Sequence, residues 1–157
     1  MISIIAALAE NRAIGYKGQL LCHISEDLKR FKQLTQNNVV IMGRKTYDSL
    51  PFKPLKNRIN IVITSKDIEL DGCIVVHSTN EALERAVEYD KEIFIIGGAK
   101  IYKQFMDKAD KLYLTHIEEK YEADTFFPPI GKEWKVVNIQ HGEGNNYIFA
   151  DYIREDV

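Results

Sequence analysis

Short runs of isoleucine and valine, each followed by a helical pattern, constrain the fold of this chain more than any other feature. In the first two-thirds of the sequence the runs are Ile2 to Leu8, Val39 to Met42, Ile59 to Ile63, Ile74 to Val76 and Ile93 to Ile96. Runs that are almost continuously apolar are typical of strands that helices cover on both faces. The helical patterns are Ser25 to Thr35, Thr46 to Leu50, Asn80 to Glu88 and Ala99 to Met106. The alternation predicts an α/β fold with a mainly parallel central sheet flanked by helices.

The last third of the chain changes character, because strand patterns follow one another there without helices. They run from Leu112 to Ile117, Trp134 to Ile139 and Tyr147 to Ile153. The segment from Gly142 to Asn146 is rich in glycine and asparagine, which favours a tight turn between the last two strands. The sequence therefore predicts a mixed sheet whose edge is an antiparallel hairpin.

Length and charge limit the kinds of partner. At 157 residues the chain predicts a single domain over positions 1–157, large enough to bury a core. A formal net charge of -2 argues against a nucleic-acid binder and against a polybasic membrane anchor. The apolar start lacks a basic leader and is interrupted at Glu10, so it predicts a buried strand. We expect a cytoplasmic monomer.

Metal and disulfide chemistry is not expected. The two cysteines, Cys22 and Cys73, have no CxxC or His/Cys spacing. His77, His116 and His141 lie in or beside predicted strands without the spacing of metal ligands. The sequence therefore predicts no metal site.

A long connection from Ala9 to Ile24 is the first candidate for function. It contains Gly15 and Gly18 and follows the end of a strand, where α/β folds bind ligands. A plain surface connection is the alternative. Because loops of this length are uncommon unless they are functional, we expect it to cover a ligand.

The helix pattern after this loop carries a candidate carboxylate, Asp27. Ser25 suits the N-cap position, and Asp27 in the first turn suits the helix dipole, which is a sufficient structural explanation for most such aspartates. However, Asp27, Leu28 and Phe31 share one side of the helix. If that side faces a cleft, loss of solvent raises the pKa of Asp27 while the helix N-terminus opposes the rise.

Three strand ends carry small, hydroxylated or basic residues that suit phosphate. Gly43 to Thr46 follow one strand, Thr64 to Lys66 follow a second, and Gly97 to Lys100 follow a third. Neither a Walker A loop nor a GxGxxG fingerprint is present, and each segment alone fits an ordinary solvated turn. Together they predict a dinucleotide site at which backbone N–H groups and cations meet phosphates.

Several of these segments together resemble dihydrofolate reductase of the bacterial chromosomal type, from Met1 to about Ile153. Ile2 to Ala9 is similar to the first strand of that family, and Asn11 to Gly15 to its mobile active-site loop. The other matching segments are Asp27 to Lys32 for the pterin-binding helix, Ile41 to Tyr47 and Ile95 to Gly98 for the cofactor turns, and Leu112 to Ile117 and Asp124 to Pro128 near the C-terminus.

The resemblance implies NADPH-dependent reduction of 7,8-dihydrofolate to tetrahydrofolate, with hydride passing to C6 of the pterin and a proton reaching N5. Asp27 would accept hydrogen bonds from the 2-amino and N3 groups, with the Thr115 hydroxyl beside it and Cys22 at the site. Arg58 would pair with the glutamate α-carboxylate. The implied substrate-binding residues are Ile5, Ala6, Asp27, Leu28, Phe31, Lys32, Leu50, Leu55, Arg58, Ile96, Tyr102 and Thr115.

The same resemblance implies a cofactor site for NADPH, whose extra phosphate suits the basic cluster better than NADH does. The implied cofactor-binding residues are Ala7, Ile14, Gly15, Gly18, Gln19, Gly43, Arg44, Lys45, Thr46, Thr64, Ser65, Lys66, His77, Ser78, Ile96, Gly97, Gly98, Ala99, Lys100, Ile101, Tyr102 and Gln104. No metal, nucleic acid or membrane is implied; the expected partners are dihydrofolate and folate analogues.

The chain departs from the family pattern where the family reads Pro-Trp before the pterin helix, because Leu21 and Cys22 stand there. The tryptophan of the family packs by the substrate, and a cysteine is smaller and a weaker donor. We therefore expect weaker dihydrofolate binding or a slower step, and reduced affinity for diaminopyrimidine antifolates such as trimethoprim. Two smaller departures are Ala99 and Ala123, where the family usually has glycine.

Two other functions remain open from the sequence. A pyrimidine reductase of riboflavin synthesis shares the fold but lacks the helix pattern of Asp27 and Phe31 with a distant threonine partner. A protein that binds folate or NADPH with impaired turnover is the non-enzymatic alternative, which Cys22 keeps open. Tight binding without turnover would distinguish it from the enzyme.

Overall fold

The apolar runs form the strands of a large sheet in the computed structural model, which describes residues 1–21, 23–144 and 146–155. The strands are β1 (Ile2–Leu8), β2 (Ala13–Tyr16), β3 (Gln19–Leu20), β4 (Val39–Gly43), β5 (Ile59–Ile63), β6 (Cys73–Val76), β7 (Ile93–Gly97), β8 (Lys111–Ile117), β9 (Thr125–Phe126), β10 (Trp134–His141) and β11 (Tyr147–Arg154). The helices are α1 (Ser25–Thr35), α2 (Arg44–Ser49), α3 (Thr79–Val87) and α4 (Ala99–Phe105). Within these described ranges no helix has the length and hydrophobicity needed to cross a bilayer.

The main sheet has eight strands in the order β10-β11-β8-β1-β7-β4-β5-β6. From β8 to β6 all neighbours are parallel, whereas β11 is antiparallel to both β8 and β10. The predicted mixed sheet with an antiparallel hairpin at its edge is confirmed. Because the central strands are parallel, their carboxyl ends open at one edge of the sheet, where α/β proteins bind ligands.

Alternating side chains of the strands divide the core into two layers. Val39 and Ile41 of β4 belong to the cluster that packs under α3 and α4. Val40 and Met42 belong to the cluster on the opposite face, against which Phe31 of α1 packs. All four β4 side chains are fully buried, which explains why the sequence shows a continuous apolar run rather than alternation.

The connection from Ala9 to Ile24 contains more structure than predicted. A 3₁₀ turn spans Glu10–Arg12, and β2 and β3 join β9 in a small sheet of order β3-β2-β9. Strands of two to four residues are too short to show a period of two, so they could not be predicted from the pattern of apolar residues.

The start of α1 also differs from the prediction. Ile24 is the N-cap, since its carbonyl oxygen accepts the N–H of Leu28 at 3.1 Å, and no side chain caps the helix. The prediction that Ser25 is the N-cap was therefore wrong. Ser25 lies in the first turn and is exposed, so Asp27 stands in the N-terminal turn as expected.

Candidate active site at the carboxyl ends of the parallel strands

Three neighbouring strand ends bring the predicted phosphate-binding segments together. The neighbours β7, β4 and β5 are parallel, with Met42 paired to Gly97 and Gly43 paired to Ile63. Thr64 follows directly, and its N–H donates to the carbonyl of Val76 at 2.9 Å. The segments that begin at Gly43, Thr64 and Gly97 therefore line one edge of the sheet.

Backbone without side chains approaches Thr46 at this edge. Gly97 has φ of 139°, and a Cβ built there would lie 3.0 Å from the Thr46 hydroxyl oxygen. A Cβ on Gly98 would lie 3.3 Å from the same oxygen. A larger residue at either position would crowd Thr46, so the two glycines keep backbone amide groups open beside a hydroxyl.

Cations and hydroxyls surround this bare backbone. Lys45, Ser65, Lys66 and Lys100 are exposed at or just beyond the strand ends. Arg44 is partly engaged, because its Nε lies 2.9 Å from the Asp48 carboxylate one turn later in α2. Amide groups, hydroxyls and mobile cations are the donors that phosphates accept, so these residues fit a phosphorylated dinucleotide.

Other predicted cofactor residues already have partners inside the protein. The Ser78 hydroxyl caps α3 by accepting the Glu81 N–H at 3.1 Å, and the His77 ring nitrogen lies 2.8 Å from the Thr64 carbonyl. Gln104 is exposed on α4, and Ala99 is half-buried at its start. The structure thus places His77 directly after β6, with its ring beside the carbonyl that follows β5. The Ser78 hydroxyl is occupied by its bond to the start of α3.

Ile101 and Tyr102 of α4 are buried beneath the strand ends. A Cβ on Gly43 would lie 3.0 Å from Ile101, so this isoleucine packs against the end of β4. The Tyr102 hydroxyl lies 2.9 Å from the carbonyl oxygens of both Ile5 and Ile96. Burial, and to a lesser degree the charge of Asp27, raises the pKa of Tyr102 well above its ordinary value. Tyr102 therefore joins β1 to β7 as a neutral phenol.

The Asp27 carboxylate and the Thr115 hydroxyl meet between α1 and β8. The Thr115 hydroxyl donates to Asp27 Oδ1 at 2.5 Å, and Thr115 is 2% exposed. Burial raises the pKa of Asp27, while the Thr115 hydrogen bond and the charge of Arg30 oppose the rise. A half-buried carboxylate whose pKa is raised is a typical feature of functional sites.

An apolar wall lies on the same face of the sheet as α1. Phe31, Leu50, Leu55 and Ile96 are partly buried and pack against one cluster, to which Ile5 also belongs. Other predicted substrate residues do not join it: Leu28 is 46% exposed, Lys32 is exposed, and both Ala6 and Tyr102 belong to the packing under α3 and α4. The wall thus contains most of the predicted apolar residues.

Arg58 is held at the far end of this wall. Its guanidinium donates to the Lys56 carbonyl at 3.0 Å and to the Thr35 hydroxyl at 3.2 Å, and its centre lies 5.9 Å from the Phe31 ring. Partial burial lowers the pKa of Arg58. These contacts fix the side chain beside Phe31 and leave part of its fork of donors free for a carboxylate.

The loop that was expected to cover a ligand is tied to β9. The Lys17 N–H donates to the Asp124 carboxylate at 3.0 Å, and the Asp124 N–H donates to the Gly15 carbonyl at 3.0 Å. The Tyr16 hydroxyl donates to Glu122 at 3.1 Å. Gly18 turns with φ of 77° between β2 and β3. Ile14 packs against the main core, Ala7 against a smaller cluster, and Gln19 is exposed.

Sequence reasoning missed two features of the site, and Cys22 lies outside the described residues. The first is the role of Asp124 in fastening the loop. The second is an ion pair between Arg30 and Asp151, which are 121 residues apart. Local pattern carries no signal for a contact between residues so far apart, so neither could be found before the fold was known.

Comparisons with known proteins agree with this geometry. The family model for dihydrofolate reductase matches residues 1–154. The dihydrofolate reductase of Buchnera aphidicola from Acyrthosiphon pisum is 50% identical over 127 residues, covering 81% of this chain and 78% of the relative. That of Bacillus subtilis is 42% identical over 154 residues, covering 97% and 90%.

A solved structure shares the whole fold. Dihydrofolate reductase from Enterococcus faecalis, complexed with NADP(H) and RAB-propyl, superposes with a TM-score of 0.93 at 36% identity, covering 99% of this chain and 97% of that one. Its cofactor suits the cations and bare backbone found here at the ends of β4, β5 and β7. With the family model matched over almost the entire sequence, the chain belongs to the dihydrofolate reductase family.

Proposed function

We propose that this protein is an enzyme that reduces 7,8-dihydrofolate to 5,6,7,8-tetrahydrofolate with NADPH, and so supplies one-carbon metabolism. The observation that carries the proposal is the hydrogen bond from the Thr115 hydroxyl to Asp27 at 2.5 Å. The carboxylate is on the same helix as Phe31, which belongs to the apolar wall. A carboxylate that is partly desolvated and oriented by a hydroxyl suits a flat, polar heterocycle with amino and N–H donors on one edge.

Asp27 and Thr115 fix the orientation of the pterin in this proposal. Asp27 accepts hydrogen bonds from the 2-amino and N3 groups, and the Thr115 hydroxyl holds the carboxylate in place. The ring then lies against Phe31 and Ile5, which exclude water from one side. The proton for N5 comes through water, since the carboxylate is directed at the opposite edge of the heterocycle.

The wall and Arg58 hold the remainder of the substrate. Leu50 and Leu55 contact the aminobenzoyl group, because they belong to the same cluster as Phe31. Arg58 pairs with the α-carboxylate of the glutamate, and its contacts with Thr35 and Lys56 hold its guanidinium ready for that pairing. Leu28 and Lys32 are exposed on α1. They are proposed to contact only the part of the substrate that lies nearest to solvent.

NADPH supplies a hydride to C6 of the pterin when it is bound. Gly97, Gly98 and Thr46 offer backbone N–H groups and a hydroxyl to the bridging phosphates. Lys45, Ser65, Lys66 and Lys100 surround the charged groups, and this excess of cations favours NADPH over NADH. Ala7 lies near the end of β1, and Ile14 and Gly15 lie in β2, where all three would contact the nicotinamide.

The test is the fall in NADPH absorbance with purified protein and dihydrofolate, run beside Asp27→Asn. Turnover that collapses in the variant supports both the reaction and the residue. NADPH binding without turnover in the unmodified protein supports the non-catalytic binding protein instead. Failure to bind either ligand would contradict the proposal.

Cys22 is proposed to weaken the binding of dihydrofolate and of diaminopyrimidine antifolates. The proposal rests on the size of the residue alone, because a cysteine covers less of a ligand than the tryptophan usual in the family. Kinetics and inhibition of Cys22→Trp test it. Lower KM and tighter inhibition are expected, and unchanged constants would reject it.

The protein is further proposed to act as a cytoplasmic monomer without nucleic acid or membrane. Its charge is nearly balanced, with 21 basic and 23 acidic residues, so it has no general electrostatic attraction for nucleic acid or for an anionic membrane surface. Light scattering after size exclusion tests the oligomeric state, and a mass of about 18 kDa is expected for the monomer of 18.1 kDa.

A further inference from the structure

Arg30 is a partly buried cation on the helix that carries Asp27. Its Nη2 lies 2.6 Å from Asp151 Oδ1 on β11, and the two side chains are only 19% and 11% exposed. The Asn138 amide approaches the other Asp151 oxygen at 3.4 Å. Long charged side chains are rarely this buried without a reason, because hydration must be replaced by contacts in the protein.

Aromatic rings complete the surroundings of this guanidinium. The centre of the Arg30 guanidinium lies 4.7 Å from the Phe149 ring and 5.6 Å from the Tyr113 ring. Phe149 is the β11 neighbour of Thr115, and Asp151 is the β11 neighbour of Tyr113. The ion pair therefore lies beside the strand that supplies the hydroxyl partner of Asp27.

A second contact joins the same two elements. The Tyr147 hydroxyl donates to Glu26 Oε1 at 2.7 Å, and the Glu143 N–H donates to the same oxygen at 2.9 Å. Glu26 and Arg30 are one turn apart on α1, and their partners Tyr147 and Asp151 are four residues apart on β11. The turn of α1 between these contacts is the one that contains Asp27.

We propose that Arg30 is a positioning residue for Asp27, because its ion pair with Asp151 and its ring contacts fix this turn of α1 against β8 and β11. The kinetic part of the proposal rests on the function proposed above, whereas the geometric part does not. Arg30 does not touch the substrate; it acts through the carboxylate that does. Its permanent positive charge also favours the ionised form of that carboxylate.

The influence of each neighbouring ionisable group on the titration of Asp27 can be considered in turn. Arg30 is on the same helix, and Tyr102 approaches from α4 as a neutral phenol. On β8 the partner is Thr115, which does not titrate. On β11, Asp151 and Tyr147 are engaged by Arg30 and Glu26. Removal of Arg30 therefore removes a positive charge that opposes the rise, and the pKa of Asp27 should rise further.

The experiment is a carboxyl carbon NMR titration of protein labelled at aspartate, with the Asp27 signal assigned by its absence in Asp27→Asn. In Arg30→Met, which keeps a long side chain without charge, the Asp27 midpoint should move to higher pH. In Arg30→Lys, which keeps the charge, it should stay close to that of the unmodified protein. A midpoint that does not move in Arg30→Met, or moves equally in both variants, would overturn the proposal.

Arg154→Met is the matched control. Arg154 is also a partly buried arginine on a ring, since its guanidinium centre lies 4.6 Å from Trp134. It is five residues beyond Phe149 on β11, which places it roughly 17 Å along the strand. The Asp27 midpoint should not move in this variant. A shift equal to that of Arg30→Met would show a general effect of losing a buried arginine and would overturn the proposal.

Kinetics on the same variants measure the positioning effect. The KM for dihydrofolate should rise about tenfold in Arg30→Met, with a smaller change in kcat, and Arg30→Lys should recover most of the loss. Asp151→Asn should raise KM in the same direction while leaving the Arg30 charge in place. If the unmodified protein shows no turnover, the proposed function fails, and the NMR titration still decides whether Arg30 controls Asp27.

Discussion

The two sides of the proposed site are built by different means. On the side of α1, a partly buried group faces a buried one at short distance in two pairs: Asp27 meets Thr115 at 2.5 Å, and Arg30 meets Asp151 at 2.6 Å. At the edge formed by β4, β5 and β7, exposed lysines stand around backbone that two glycines leave bare. The first side is built from directional contacts, and the second from charge and open space.

This difference determines how each side should respond to change. A directional contact between buried groups is lost completely when one partner is removed, and salt in the solvent hardly affects it. Several exposed cations attract the same phosphates, so the loss of any one of them should weaken binding only modestly. That loss should become smaller as the salt concentration rises.

Asp27→Asn should cause the largest loss of activity, while its stability relative to the unmodified protein should increase as pH rises. Turnover should fall at least about 100-fold, because the carboxylate that orients the pterin is lost. Burial raises the pKa of Asp27, so the folded state keeps its proton to higher pH than the unfolded chain does. The unfolding free energy of the unmodified protein should therefore fall, relative to the variant, as pH rises from the ordinary carboxyl pKa through the raised one.

Steady-state kinetics and urea unfolding from acid to neutral pH measure both effects. If Asp27→Asn lost activity as expected but were less stable than the unmodified protein at neutral pH, this account of Asp27 would be contradicted. Asp151→Asn is a useful comparison for stability, since Asp151 is paired with Arg30 and its replacement should destabilise the fold.

Thr115→Val should raise the KM for dihydrofolate by about tenfold, because a hydrogen bond to a charged group is worth roughly 1.5–3 kcal/mol. The Thr115 bond also opposes the rise in the pKa of Asp27, so its loss should raise that pKa further. Thr115→Ser keeps the hydroxyl and serves as the control. Equal kinetics for the two variants would show that shape rather than the hydrogen bond matters at this position.

Substitutions at the strand-end cations should show the contrasting behaviour. Lys45→Gln and Lys66→Gln should each weaken NADPH binding by about three- to tenfold at low salt, with smaller losses at high salt. Binding of NADH should change less, because it has one phosphate fewer. Lys132→Gln, another exposed lysine placed next to β10, is the control. Losses that do not depend on salt would contradict the electrostatic description of this edge.

The sequence predicted these two sides unequally, for a physical reason. The strand-end segments at Gly43, Thr64 and Gly97 are local, and parallel pairing of apolar strands brings their ends to one edge, so pattern alone placed them together. The pairing of Asp27 with Thr115 came only from the resemblance to a family, because the two residues are 88 positions apart. Arg30 and Asp151 are further apart still, and an arginine in a helix is read as exposed unless the fold shows its partner.

The loop shows the limit of local pattern in another way. Gly15 and Gly18 predicted a loop that covers a ligand, and nothing in the local pattern showed that β2 pairs with both β3 and β9. The contacts that fasten it involve Asp124, more than 100 residues away from Lys17. A single acidic residue in an exposed turn has no distinctive sequence pattern. Only the folded structure shows which N–H group donates a hydrogen bond to its carboxylate.

The smallest predicted effect lies at this fastening between Lys17 and Asp124, which belongs to neither side of the site. Asp124→Ala removes the acceptor of the Lys17 N–H, whereas Asp124→Asn keeps an acceptor oxygen in the same place. The alanine variant should lower kcat by about two- to threefold, because a cover that opens more often protects the reacting groups less well, and the asparagine variant should change it less.

The pH dependence of the fastening gives a second measurement. Hydrogen bonds from the Lys17 N–H and the Thr125 hydroxyl lower the pKa of Asp124, so its contribution to loop order is complete at neutral pH and is lost as pH falls through that lowered pKa. The protection factor of the Lys17 amide, which corrects for the slower intrinsic exchange in acid, should therefore fall only in acid for the unmodified protein. For Asp124→Ala it should already be low at neutral pH. Equal exchange in both proteins at neutral pH would show that pairing of β2 with β3 and β9 alone orders the loop.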